Sequence, residues 1–485
     1  MQFQELVKRL TKALGRDAVL WRPEDVMLYE YDAGLSQGTP RAVLLPRSTQ
    51  DVQAVVRLAA EAGVSIVPRG AGTGLSGGSI SRDGGIVMVF SRMNRILEID
   101  LPNQRAVVEP GVVNTDLSAA VEEQGLYFAP DPSSQKAATI GGHVAENSGG
   151  PHTLAYGVTV NHVTGLEVVL SDGRVANFGG KAAETLGYDL AGFFNGSEGT
   201  LGIVTKITVK LTRVAEAVAT LLAIYNSMDD AARTVVEITS EGITPAALEM
   251  LDGRTLRAVE EDVHAGYPLD AAAVLLIELE GLKEEVDEQA LAVKEVCTRL
   301  NARNVRRAAN EQERMLLWKG RKNAFGAIGR LSPSYYTQDG VVPRTKIPAT
   351  LQRIEEISQK YGLRIFNIFH AGDGNMHPAI LFDLRDPDQV RRTHEAGAEI
   401  IRHCCEVGGT ITGEHGVGME KNELMPYLFS NADMDVMLRL RKAFDPNAMF
   451  NPMKLFPVPR SCREGVFSSV QAGHSSCEHG PEVRP

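Results

Sequence analysis

Pro68-Arg-Gly-Ala-Gly-Thr-Gly-Leu-Ser-Gly-Gly78 is the stretch on which the fold turns. It contains Gly72-x-Gly74-x-x-Gly77, the dinucleotide fingerprint. That fingerprint needs a helix directly after it, because the helix N-terminus binds the pyrophosphate. Here Ser79-Ile-Ser-Arg-Asp-Gly-Gly85 follows, a turn, and then the strand-like run Ile86–Phe90. The doubly wound nucleotide fold therefore fails on context. A loop this dense in glycine is costly to order as a mere turn. It can instead present successive backbone N–H groups as an anion nest.

Upstream, Arg41–Pro46 reads as a strand, Ser48-Thr-Gln-Asp51 opens a helix through Glu61, and Val64–Val67 is a second strand. Together they make a β-α-β unit. Residues 1–40 read as an amphipathic helix plus a polar entry segment. Downstream to about residue 210, the strand candidates are Ile96–Asp100, Arg105–Glu109, Thr164–Leu170 and Gly202–Leu211. Further clusters interrupt them: Pro130–Ser134, Thr139–Gly142 with Asn147–Gly150, and Gly196–Gly202. Each alone is a loop. Spaced through one domain, they suggest a ligand with several polar parts threaded past many backbone amides.

Near residue 215 the pattern changes. Strand-like Ala217–Ile224 and Ala272–Leu279 alternate with helical Asp229–Glu241 and Glu284–Ala302. This predicts a second α+β domain, an antiparallel sheet covered by helices. Further helices are expected over Gln389–Val407 and Asp433–Phe444. The division read from the sequence is 1–214, 215–418 and a C-terminal return over 419–459. The stretch 460–485 reads as a disordered tail.

Bulk properties exclude several classes. At 485 residues the chain is too long for one core. Its net charge of −11 argues against nucleic-acid binding. Its five cysteines form no C-x-x-C pair, so neither an iron–sulfur cluster nor a disulfide framework is supported. A cytoplasmic setting fits, and peripheral contact with the inner face of the membrane through a partner is compatible with it. No run approaches the ~20 apolar residues of a membrane span.

The chemistry is concentrated in His370-Ala-Gly-Asp-Gly-Asn-Met-His377 and Gly413-Glu414-His415-Gly416. Three imidazoles and a carboxylate in two glycine-punctuated segments are the donor set of a divalent metal site with a spare histidine. His370, His377 and Glu414 are the expected ligands, and His415 the expected base, near the ordinary histidine pKa of ~6.5. Arg321 is the candidate clamp for a carboxylate, because guanidinium binds one in a two-pronged fashion. Tyr336, Asp339 and Lys346 are weaker pocket candidates. Asp373 reads as a turn former, His394 and His403 as bystanders, and Cys404 and Cys405 as small core residues.

Taken together and in this order, the motifs resemble the flavin-binding domain of the vanillyl-alcohol oxidase type, joined to an FAD-linked oxidase C-terminal domain. The resemblance spans about residues 20–457. It points to the group containing the glycolate oxidase flavin subunit and the D-lactate and D-2-hydroxyglutarate dehydrogenases. The implied fold is α+β, a two-subdomain FAD-binding domain plus an α+β cap. The implied cofactors are FAD and a divalent metal: zinc, manganese or iron. Arg69, Gly70, Ala71, Gly72, Thr73, Gly74, Leu75, Ser76, Gly77 and Gly78 would wrap the pyrophosphate. Pro130, Asp131, Pro132, Ser133, Thr139, Gly141, Gly142, Asn147, Ser148, Gly149 and Gly150 would line the isoalloxazine and ribityl chain. Glu198, Gly199 and Ile203 would lie near the adenosine half, with Asn451 and Lys454 returning from the C-terminus. The first loop has neither His nor Cys, so a non-covalent flavin is implied.

The implied reaction is oxidation of a 2-hydroxy acid to the 2-oxo acid, with hydride passing to flavin N5. Electrons would go on to a quinone, a cytochrome, or iron–sulfur and second flavin-domain subunits; a homodimer is also compatible. Relatives acting on 2-hydroxyglutarate carry polar residues where this chain has Phe325 and Ala379. That favours a short or apolar substrate tail, of the glycolate or D-lactate type, over D-2-hydroxyglutarate. Three alternatives remain: a flavin-free metallohydrolase, a non-redox flavoenzyme of the alkyl-dihydroxyacetonephosphate synthase type, and a non-catalytic flavin subunit. The first leaves the glycine loops unexplained. The second would favour histidines in place of Glu414-His415. The third is disfavoured by the complete site.

Overall fold

The computed structural model describes residues 2–182 and 187–457. The expected disordered tail lies outside the described residues.

The first half holds two sheets. Strands Val19–Leu20, Ala42–Leu44, Ile86–Val89 and Ile66–Arg69 pair in that order, the last three in parallel. Helix Thr49–Ala62 makes the crossover that parallel strands require. Ser48 caps it by accepting from the Asp51 amide, and Gly63 ends it in the left-handed conformation. Its Val52, Val55, Val56 and Ala59 recur at helical spacing and pack on the sheet. Strand Ile66–Arg69 runs straight into the glycine loop, and no helix follows before Ile86–Val89.

The second sheet is antiparallel, in the order Ile96–Asp100, Arg105–Val108, Ile203–Lys210, Val163–Val169, Val175–Gly179. One expectation needs correcting here. Thr139–Gly142 and Asn147–Gly150 are not separate loops but the two ends of one helix, Ile140–Glu146. The Thr139 hydroxyl accepts from the Gly142 amide, and Asn147 closes the helix at φ 57°. Two glycines in the first turn lower helix propensity enough to hide it in the sequence.

The second half is a nine-stranded sheet, and every pairing in it is antiparallel. Helices cover both faces. Leu221, Ala223 and Tyr225 pack with Val235, Val293, Ile354 and Ile400 on one side. Leu222 and Ile224 of the same strand pack with Leu256, Leu317 and Trp318 on the other. Burial on both faces explains why Ala271–Ile277 is a continuous apolar run rather than an alternating one. Among the described residues, no helix is long and apolar enough to cross a membrane.

A buried polar knot joins the halves. Glu278, on strand Ala273–Gly281, accepts from Thr220 Oγ1, Trp318 Nε1 and Arg314 Nη1, and faces His152 Nε2 at 3.4 Å. His152 belongs to the first half, and its Nδ1 lies 2.9 Å from Asp131. Burial pushes the Glu278 carboxyl up, but His152, Thr220, Arg314 and Trp318 outweigh it and hold it at about 2. A depressed carboxyl contributes stability above its unfolded value, and that contribution fades as pH falls through about 2. Glu278→Ala should lower the unfolding free energy at neutral pH by about 3–5 kcal/mol, read from denaturant melts. A change under about 1 kcal/mol would contradict the assignment of the knot.

Candidate active site

Between the halves lies a cavity of about 410 Å³. Its wall begins at the glycine loop and ends at Arg321, His370, His377, Glu414 and His415. A single space thus joins the anion nest to the His/Glu cluster.

Of the expected cofactor residues, Arg69–Leu75, Gly78, Pro132, Ser133, Thr139, Gly141, Gly142, Ser148, Glu198 and Gly199 line this cavity. Gly72 sits at φ +74°, a left-handed conformation that favours glycine, and a Cβ there would fall 2.2 Å from Arg69 Nη2 and displace that guanidinium. The remaining expected residues are not in the wall. Ser76 O accepts the Met419 amide at 3.0 Å, and Gly77 packs on Ser36 and Met419. Pro130 O accepts from Asn114, and Asp131 is spent on His152. Asn147 accepts the Val160 amide, and Gly150 packs on Asp131. A Cβ on Gly149 would approach Glu414 Oε2 to 3.3 Å. Ile203 turns its side chain into the core, because strand alternation gives the cavity Gly202 and Val204 instead. Asn451 and Lys454 brace the loops from behind: Asn451 Nδ2 donates to Gly78 O and Glu198 O, and Lys454 Nζ to Ile80 O.

His370 ends strand Arg364–His370, and His377 follows the tight turn at Gly374, φ +82°. Asp373 shapes that turn by accepting the Asn375 amide at 3.0 Å. The ring centroids of His370 and His377 are 5.0 Å apart at 84°. His370 Nε2 and His377 Nε2 lie 3.2 and 3.4 Å from Glu414 Oε1. Burial opposes charge on His370, but Glu249 and Glu414 raise its pKa well above the ordinary value. Burial raises Glu414, yet His370, His377 and His415 bring it down to about 2.

Two residues gain importance in space. Glu249, fully buried, is one that sequence reasoning misses. Its Oε1 lies 2.7 Å from His370 Nδ1, and its Oε2 accepts from Arg321 Nε at 2.6 Å. A carboxylate only accepts, so Nδ1 carries the proton and Nε2 is turned to the cluster. Its signal in the sequence is a charged residue at a core position of an apolar strand, Ala247–Asp252. Asp339, a weak candidate in the sequence, is the anchor of the second motif. It accepts the Gly413 and His415 amides at 3.0 and 2.9 Å, the Thr412 hydroxyl and Lys421 Nζ.

Asp339, His377 and His415 also converge within ligand distance, as do His370, His377 and Glu414. The second set fits a cation better. Asp339 is already saturated with donors, whereas Glu414 Oε2 is buried without a hydrogen-bond partner. Three other expectations change. His415 does not keep an ordinary pKa; burial lowers it to about 4. Its ring stacks on His377 at 5.0 Å and 6°. Arg321 is not a free clamp, since it lines the cavity while paired to Glu249. Tyr336 is buried in the cap core with its ring against the exposed His394, and Lys346 is exposed. Their neighbours Tyr335 and Thr337, one residue out of register, line the cavity instead.

Residues 40–179 match the FAD binding domain family, and residues 214–455 match the family of FAD linked oxidases, C-terminal domain. The chain belongs to the FAD-linked oxidases. This FAD-linked oxidase is 44% identical over 458 residues to the glycolate oxidase subunit GlcD of Escherichia coli, covering 94% of this chain and 92% of that one. It is 45% identical over 432 residues to the Bacillus subtilis GlcD, covering 89% and 92%. It is 34% identical over 425 residues to D-2-hydroxyglutarate dehydrogenase of Stutzerimonas stutzeri, covering 86% and 91%. In fold it resembles p-cresol methylhydroxylase, with a TM-score of 0.79 at 19% identity over 93% of this chain and 96% of that one. FAD is thus the cofactor, and the glycine-lined cavity suits it. Gly72→Val should close the cradle and cut bound flavin per chain at least tenfold, read from visible absorbance; full occupancy would contradict the placement.

Proposed function

We propose that this FAD-linked oxidase converts a short 2-hydroxy acid, of the glycolate or D-lactate type, to the 2-oxo acid. The observation that carries the reading is one cavity shared by the glycine loops and by Arg321, His370, His377, Glu414 and His415. The relatives' names support the substrate class.

The glycine loops would hold FAD non-covalently, and FAD would supply the two-electron acceptor for the oxidation. His370, His377 and Glu414 would hold a divalent cation, which would supply Lewis acidity toward the substrate hydroxyl; zinc, manganese and iron all accept this donor set. Arg321 anchors the substrate carboxylate with the part of its guanidinium not turned to Glu249. Burial keeps His415 unprotonated at neutral pH, so an imidazole nitrogen is open to receive the hydroxyl proton. Phe325 and Tyr335, stacked at 6.3 Å and 21°, give the substrate's tail an aromatic wall. That wall favours glycolate, D-lactate or an apolar 2-hydroxy acid over a dicarboxylate. Ala379 lies in the core and takes no part.

The reduced protein must pass its electrons on. The relatives' names, which include a subunit of glycolate oxidase and a D-lactate dehydrogenase marked as cytochrome-linked, support a partner subunit or a cytochrome as the acceptor. A quinone, or iron–sulfur and second flavin-domain subunits, are the other acceptors of this reading. A cytoplasmic location, at the inner face of the membrane through such a partner, is consistent with the reduced thiols of Cys297, Cys404 and Cys405.

Anaerobic mixing with a panel of D- and L-2-hydroxy acids tests the reading. The wild type should bleach its flavin with a short or apolar acid, and His415→Ala should slow bleaching by about 10²–10⁴-fold with FAD retained. Bleaching of the variant at wild-type rate would remove His415 as the base. Glu249→Gln should weaken metal binding by about 10–100-fold in a titration, because it loosens the His370 ring. Unchanged affinity would take the cation off His370.

A further inference from the structure

Glu414 and His415 lie on the Gly413–Gly418 segment, which has neither helix nor strand to hold it. Its placement comes from hydrogen bonds to its backbone: Gly413 N donates to Asp339 O at 2.9 Å and Gly418 O accepts from Leu455 N at 3.1 Å, and side chains take the other amides. Two buried carboxylates do this from opposite sides. Asp339, on the cap side, takes the amides of Gly413 and His415. Glu198, on the FAD-binding side, takes Val417 N at 2.7 Å and Gly418 N at 2.8 Å. Glu198 is 3% exposed and sits at φ +51°, a conformation a non-glycine residue adopts at a cost. Its loop lines the flavin cavity through Ser197, Glu198 and Gly199. Asn451 ties the Glu198 carbonyl to that of Gly78 in the first glycine loop. Between the two anchors, Gly416 has no room for a side chain: a Cβ would fall 2.0 Å from Glu146 Oε2 and 3.1 Å from Glu198 Oε1.

We propose that Glu198 is a positioning residue for His415: through the Val417 and Gly418 amides, the FAD-binding half itself sets where the base stands relative to the flavin. This rests on the reading of His415 as the base. The loop is pinned at both ends by carboxylates from different halves, so the half that carries the glycine loops shares in holding His415. Misplacement of a reacting group by about 1 Å costs on the order of 100-fold in rate. Losing one pin is expected to have an effect of that size.

Three substitutions separate the alternatives. Glu198→Gln keeps an oxygen at the same reach. Glu198→Asp keeps the charge but draws it back by one methylene. Glu198→Ala removes the acceptor. Flavin bleaching per bound FAD at saturating substrate should stay within about fivefold of wild type for Glu198→Gln and fall about 100-fold for the other two. Amide hydrogen exchange of residues 413–418 in the unloaded protein should follow the same order, with the segment protected in Glu198→Gln and exposed in Glu198→Asp and Glu198→Ala. A charge effect on the flavin would reverse the order of the first two variants, and would overturn the proposal. A purely architectural role would lower FAD content and melting temperature, yet leave the surviving holoenzyme bleaching at wild-type rate; that too would overturn it. Should Glu198→Ala fail to fold, the other pair decides. His415→Ala, run alongside, keeps the two claims apart. If it bleaches normally, the base is misassigned. If it is inert while Glu198→Asp bleaches at wild-type rate, the pin is misassigned.

Discussion

A carboxylate removed from water must be paired, hydrogen-bonded or protonated, and this protein buries several of them where its halves meet. Each answers the demand differently. Glu278 gathers His152, Arg314, Trp318 and Thr220 and locks the halves together. Glu249 takes Arg321 and His370. Asp339 and Glu198 take backbone amides of the segment that carries Glu414 and His415. Glu414 keeps a buried oxygen without a hydrogen-bond partner. These other carboxylates of the junction are committed to architecture, which leaves the Glu414 carboxylate and the His370 and His377 Nε2 atoms beside its Oε1 as the donor set for a cation.

The energetics and the chemistry share these bonds. Removing one partner from a buried ion pair leaves a charge uncompensated, which costs more than the pair itself gained. A substitution at Glu249 or Asp339 therefore acts on stability and on site geometry together. The same burial that makes the junction expensive also keeps His415 neutral.

Local features are legible in the sequence. The glycine loop after Ile66–Arg69, the absence of a helix behind it, and the strand–helix alternation of the second half all follow from periodicity and turn chemistry. His370, His377, Glu414 and His415 announce themselves by residue type and glycine punctuation. What escapes is set by tertiary pairing. Glu249 meets His370 across 121 positions of chain and Arg321 across 72, so no window of sequence contains the interaction. The sequence points to Tyr336 rather than to Tyr335 and Thr337 because a one-residue shift in register swaps the faces of a strand. Helix Ile140–Glu146 is hidden because its capping residues read as loop punctuation. Ile203 is drawn into the flavin site by its motif, while its side chain belongs to the core.

The central claim is a cation held by His370, His377 and Glu414 on the side of the cavity that faces the flavin. Anomalous diffraction from crystals grown with FAD and manganese tests it most directly. The account predicts one strong peak between the two histidine Nε2 atoms and the Glu414 carboxylate, opposite the isoalloxazine ring. A peak among Asp339, His377 and His415 instead, or none in the cavity while the flavin is bound, would contradict it.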